Sequence, residues 1–174
     1  MHASHIRRLL ICAISLVAAT AEATSMQALL SIDDLYDQGR IFMAPDWKPL
    51  GKVSEAAVFV NDRFRTVDKG NVAAWTDREL AFPEYFNKEK AYLSVRLRTV
   101  VDCKTGRFEV TESSYYADHF VGGPIVGTRR DENPEMLDAV PDSIEDKLIQ
   151  AACASRTTAR AVHRSTKSTP RNKH

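Results

Sequence analysis

At 174 residues, the chain has room for one ordinary domain of roughly 100 to 150 residues once a targeting segment is set aside, which excludes a second full domain. The formal net charge of +1 hides an asymmetry. Arg156, Arg160, Arg164, Lys167, Arg171 and Lys173 crowd the last stretch without an acid, so the part between residues 24 and 154 is acidic and the C-terminus basic.

The chain opens with His2, His5, Arg7 and Arg8, follows with an apolar run from Leu9 to Ala19, and then offers Ala21-Glu22-Ala23. This is the pattern of a secretory signal peptide, residues 1–23, with cleavage after Ala23. The run is too short for a transmembrane anchor, which needs about 20 apolar residues. Cys12 lies inside the apolar run behind Leu10 and Ile11 and not at its end. The chain is therefore expected not to be a lipoprotein, but periplasmic or secreted.

Residues 24–44 form an N-terminal lead-in, in which Leu29, Leu30, Ile32, Leu35 and Tyr36 line one helical stripe that Gly39 is expected to end. From Trp47 the texture changes to short segments rich in Val, Phe, Tyr and Thr. Pro49-Leu50-Gly51, Asn61-Asp62, Lys69-Gly70-Asn71 and Lys104-Thr105-Gly106 punctuate them as turns. Strands are predicted at 56–60, 64–67, 72–77, 91–103, 107–116 and 124–128. The third from last is the clearest: Leu93, Val95, Leu97, Thr99, Val101 and Cys103 alternate with polar neighbours at period two. It pairs across Lys104-Thr105-Gly106 with the strand carrying Phe108 and Val110, as a hairpin.

After Pro141 the period switches. Ser143 as N-cap and Asp146 at N3 precede Ile144, Leu148, Ile149, Ala152 and Cys153, which predicts a C-terminal helix of about three turns. Residues 155–174 lack the large apolar side chains that would order them and are read as a disordered basic tail. A solvated extension is preferred over contact with an anionic surface such as lipopolysaccharide or lipid. Nucleic acid is not expected as a partner, because no aromatic residue interleaves with the charges.

Removing the signal segment removes Cys12 and leaves Cys103 and Cys153, the count of one bridge in an oxidising compartment. A bridge from the strand to the helix requires the helix to cross the sheet face bearing Leu93, Val95 and Leu97. The expected fold is α+β: an antiparallel sheet of about six strands with a C-terminal helix packed on one face and tethered by the disulfide.

Val101-Asp102-Cys103-Lys104-Thr105-Gly106-Arg107-Phe108, then Ser113-Ser114-Tyr115-Tyr116, then Pro141-Asp142-Ser143 leading to Ala151-Ala152-Cys153, resemble the bacterial surface-adhesin protein E family over residues 45–154. Trp47 and Trp75 fall where that family carries tryptophans. The resemblance implies a sheet of about six strands with the helix held on its concave face by the cysteine pair. It also implies an adhesin-like role. The family's namesake is a lipoprotein, and the absent lipobox cysteine makes a soluble periplasmic form the expectation here.

No catalytic motif emerges. The mature histidines are His119, His163 and His174, which offer no metal-ligand spacing. His119 beside Asp118 reads as a solvated turn residue. Glu109 and Glu112 differ in strand parity and make a poor carboxylate dyad. Gly122-Gly123-Pro124 lacks the lysine and helix of a phosphate loop. Tyr115, Tyr116, His119 and Phe120 are the candidate binding surface, since one of two consecutive tyrosines on a strand must point away from the core. The expectation is an exported, non-enzymatic, adhesin-like module that recognises a protein or cell-envelope component and needs no cofactor or metal. The alternative is a periplasmic enzyme or enzyme inhibitor whose site is assembled from residues distant in sequence.

Overall fold

The computed structural model of the chain describes residues 30–167, and side chains as far as Arg156. The expected signal segment with its cleavage after Ala23 lies outside the described residues, as do Arg171, Lys173 and His174.

Helix α1, Ile32–Phe42, starts at Ser31, whose hydroxyl accepts from the Asp34 N–H at 3.1 Å while the Asp34 carboxylate accepts from the Ser31 N–H at 3.3 Å. Two amides that a helix start leaves orphaned are thereby satisfied. Gly39 does not end this helix, contrary to the sequence reading. It is buried within it, and a Cβ there would come within 2.2 Å of Phe59 Cζ. The glycine is used for close approach of helix to sheet and not as a stop.

The strands are β1 (Trp47–Lys52), β2 (Ala56–Asn61), β3 (Arg65–Thr66), β4 (Val72–Phe86), β5 (Lys90–Asp102), β6 (Arg107–Tyr116), β7 (Ile125–Arg130) and β8 (Leu137–Asp138). They form one sheet in the order β1-β2-β4-β5-β6-β7, with β3 beside β4 and β8 beside β6, and every pairing is antiparallel. Each of the six expected strands has a counterpart. β1 covers the Pro49-Leu50-Gly51 segment read as a turn. At the sheet edge a proline costs no ladder bond, and the register slips between Pro49 and Gly51. β4 runs on past Thr76 and Asp77 to Phe86, with a register shift between Glu79 and Glu84 that takes up Pro83.

Helix α2, Ile144–Lys167, is capped by Ser143, whose hydroxyl accepts from the Asp146 N–H at 3.1 Å. The Asp146 carboxylate accepts from the Asp142 N–H rather than from that of Ser143. The helix was expected to stop near Cys153 with a disordered tail from residue 155; it continues to Lys167 instead. No Gly or Pro interrupts the sequence before Pro170, and Ala and Arg are good helix formers.

The two helices cover opposite faces of the sheet. Ile149 and Ala152 of α2 pack on Val72, Val101 and Phe108, and Leu148 packs on Val60 and Ala74. Cys103 and Cys153 are bridged, with an S–S distance of 2.04 Å and Cα atoms 5.6 Å apart. The helix lies on the predicted face but farther along β5 than Val95, because its tether is at the strand's end. Val95 packs instead with Ala56, Leu80 and Tyr92. On the other face Leu35 of α1 packs against Ala57, Phe59 and Ala81. α1 touches β1, β2 and β4, so the β3 and β5 side of this face is left without a helix. Among the described residues no helix is long and apolar enough to cross a membrane.

Candidate binding groove

Strand alternation sends Trp75, Asp77 and Glu79 of β4 to the α1 face. Antiparallel register then sets partners beside them on β5: Arg98 opposite Trp75, Arg96 opposite Asp77 and Ser94 opposite Glu79. Trp47 of β1 stands opposite Asn61 of β2 in the same region of the sheet. Beside α1, Trp47, Asn61, Trp75, Arg96 and Arg98, with Arg63 and Arg65 from the β2–β3 segment, wall a groove of about 610 Å³, and Asp77, Glu79 and Ser94 are not part of that wall. That volume is in the range of small-ligand sites, roughly 300 to 1,000 Å³.

The groove is cationic and aromatic. Trp47, Trp75, Arg63, Arg65, Arg96 and Arg98 line it, and the small side chain of Ala73 also faces it. The arginines are not equivalent. Arg96 stacks over the Trp47 ring, 4.5 Å from its centroid, and donates to Asp77 Oδ2 at 2.9 Å. Arg63 Nε lies 3.1 Å from Asp46 Oδ2. Arg98 donates to the Thr111 hydroxyl at 3.1 Å, and Glu112, opposite it on β6, is taken by Arg130 at 3.1 Å. Among the described residues, Arg65 and Arg98 form no ion pair. Two guanidinium charges therefore face the groove uncompensated.

Next to the groove, under α1 and the 118–121 loop, lies a buried ionisable network. The side chains of Asp77 and Glu79 are fully buried. Burial, and next the charge of Glu79, push the Asp77 carboxyl up to about 7 against the pull of Arg96. Asp77 Oδ1 has no hydrogen-bond partner, as suits a carboxyl that holds a proton readily. Burial also raises the Glu79 carboxyl, opposed by its bonds from His119 and the Phe120 N–H.

Glu79 holds the loop to the sheet. It accepts from the Phe120 N–H at 2.9 Å and lies 3.1 Å from His119 Nδ1. Ser94 accepts from the Val121 N–H at 3.2 Å and donates to the Asp118 carbonyl at 2.8 Å. Phe120 and Val121 take φ of 55° and 61°, left-handed values that cost a β-branched residue most. Those bonds hold the two residues there.

His119 was expected to be a solvated turn residue. Its side chain is only 16% exposed and is paired with Glu79. The remaining residues of the candidate surface are split by the strand pleat. Tyr115 packs against Phe86 and Tyr92, with ring centroids 5.0 and 4.9 Å away, on the α2 side. Tyr116 is opposite Ser94, which places it on the groove's face, and Phe120 joins the α1 cluster against Phe42. Tyr116, His119 and Phe120 thus share the groove's face, and Tyr115 does not.

The groove and the network went unread in the sequence because their residues come from strands β1 to β5, the β2–β3 segment and the loop after β6, and are assembled only by register. The available signal was the polar alternation Trp75, Asp77, Glu79 matched by Ser94, Arg96, Arg98 on the next strand. Among the described residues, no group of three or more His, Cys, Asp or Glu side chains is placed to hold a metal ion.

A family model described as Surface-adhesin protein E matches residues 47–154. Two solved structures of Haemophilus influenzae protein E share the fold. One, from a non-typeable strain, has 15% identity, a TM-score of 0.52 and coverage of 67% of this chain and 80% of that one. The other has 14% identity, a TM-score of 0.50 and coverage of 66% and 89% respectively. No curated protein matches the chain in sequence. With the match spanning the sheet, the disulfide and the start of α2, the chain belongs to the surface-adhesin protein E family.

Proposed function

We propose that this chain is an exported, non-enzymatic binding module, adhesin-like, that recognises a protein or cell-envelope component through the groove on the α1 face of its sheet. The observation that carries the reading is the meeting of Trp47, Trp75, Arg65 and Arg98 in one groove with two unpaired guanidiniums. Aromatic and arginine side chains are the types that anchor recognition. A disulfide fits a periplasmic or secreted location, where thiols oxidise. Family membership points to the cell surface or its surroundings. Tyr116, on the same face, extends the recognition surface beyond the groove.

An enzyme would set its perturbed acids at a cavity wall. Asp77 and Glu79 are sealed beneath α1 and the 118–121 loop and do not line the groove, which favours binding over turnover. The test is direct binding of the mature chain to immobilised outer-membrane and extracellular-matrix preparations, beside a folded Trp75→Ala/Arg98→Glu variant. Saturable binding that the variant loses supports the reading. Equal binding by the variant removes the groove from the function.

A further inference from the structure

We infer that the groove is built for an acidic oligosaccharide, one bearing carboxylates at sparse intervals such as a uronate oligomer; this rests on the binding-module reading above. Three features of the groove lead there, and each narrows the ligand.

The first is the floor. Trp75 lies on β4, paired with β2, β3 and β5, and Arg96 and Arg98 lie on β5, paired with β4 and β6. Between β4 and β5, and between β5 and β6, the backbone amides and carbonyls are engaged in the sheet ladders. An extended acidic peptide binds a sheet best by main-chain bonds to a free edge, and this floor has none. Recognition must come from side chains.

The second is the charge. Arg63 is tied to Asp46, and Arg96 is held between Asp77 and the Trp47 ring, so both guanidiniums already have partners. Arg65 and Arg98 remain. Two free cations in about 610 Å³ suit a ligand with one or two anionic groups. A nucleic acid carries a phosphate on every nucleotide and calls for a denser cationic track, and the carboxylate of Asp46 beside Arg63 would oppose it.

The third is the shape of the lining. An indole presents a broad face with negative quadrupole, which attracts the weakly positive C–H face of a pyranose ring. A guanidinium offers a planar fork that bonds a carboxylate at two oxygens. Trp75 and Arg98 are cross-strand partners, so the platform and the fork are adjacent. Arg65 is opposite Ala73, two residues along β4 from Trp75, and the small alanine side chain leaves room between them. A sugar on Trp75 with its carboxylate turned toward Arg98 or Arg65 uses every unpaired group in the groove.

The experiment is calorimetric titration of the mature chain, bridge intact, with tetragalacturonate, neutral galactotetraose, tetraglutamate and a short oligonucleotide. The inference expects tetragalacturonate to bind at least tenfold tighter than the other three. Trp75→Ala and Arg98→Ala should each weaken it about tenfold or more, and Arg98→Lys less than Arg98→Ala, since lysine keeps the charge and loses the fork. Displacement by lipopolysaccharide vesicles would assign an envelope source, and displacement by hyaluronan a matrix source; either supports the inference. Equal binding of neutral and acidic sugars, or a preference for the peptide or oligonucleotide, overturns it. If no sugar binds while Trp75→Ala/Arg98→Glu still abolishes capture by envelope preparations, the sugar class is wrong and the groove reading stands. If that variant changes nothing in either assay, both fail.

Discussion

Replacing Asp77 by Asn should change how stability depends on pH more than it changes the fold. The substitution is isosteric, and the amide oxygen can still accept from Arg96. In the native protein the Asp77 carboxyl is fully buried, and burial and Glu79 raise it from an ordinary 3.8 to about 7. The native state therefore holds a proton that the unfolded state has released, and stability falls as pH rises through that window. With ~1.4 kcal/mol per unit, the loss between about pH 5 and about pH 8 is ~2 to 3 kcal/mol. Glu79 is raised as well, so its contribution has the same sign. Asp46 and Asp102 are lowered, Asp46 chiefly by Asn61 and Asp102 chiefly by the Lys104 amide. Their contributions are lost only in acid and do not change in this range. Urea unfolding with the disulfide intact, at both pH values, measures the slope. The wild type should lose stability toward pH 8, and Asp77→Asn should lose markedly less. Parallel pH profiles for the two proteins would refute the buried-proton account.

Further outcomes follow from the same framework. Converting Cys103 and Cys153 to Ser opens a loop of 50 residues and should cost up to about 4 kcal/mol in urea unfolding, while intact mass of the native secreted protein should show cleavage after Ala23 and a deficit of two hydrogens. Gly39→Ala drives a methyl group into the Phe59 ring and should destabilise by ~1 to 3 kcal/mol, which a fall in the thermal midpoint would report. Glu79→Gln keeps the carbonyl that Phe120 and His119 need but removes the charge; it should flatten the alkaline loss of stability, whereas Glu79→Ala should free the 118–121 loop to hydrogen exchange.

The parts of the fold that could be read from the sequence are those specified locally. Alternation through Leu93 to Cys103 and the turn at Lys104-Thr105-Gly106 define the hairpin, which the structure closes with Asp102 accepting from the Lys104 N–H. The cysteine count defines the bridge. Pro49 and Gly51 misled because turn residues are also edge-strand residues, and Gly39 misled because a glycine can end a helix or bring one close to a sheet. His119 looked solvated in a glycine-rich loop, yet its partner Glu79 is 40 residues away and becomes a neighbour only through the β4–β5 and β5–β6 registers together. The groove is the extreme case. Trp47, Arg65, Trp75 and Arg98 are each unremarkable in isolation, and no linear spacing unites them.

The chain carries two tryptophans, Trp47 and Trp75, and both line the groove, so indole emission reports on this site alone. Titrating the mature chain with tetragalacturonate under selective indole excitation tests the central claim most directly. A saturable change in emission is expected, with a midpoint that rises with added salt and rises about tenfold or more in Arg98→Ala. Saturating binding by calorimetry with indole emission unchanged, or an unshifted midpoint in Arg98→Ala, would contradict the groove as the binding site.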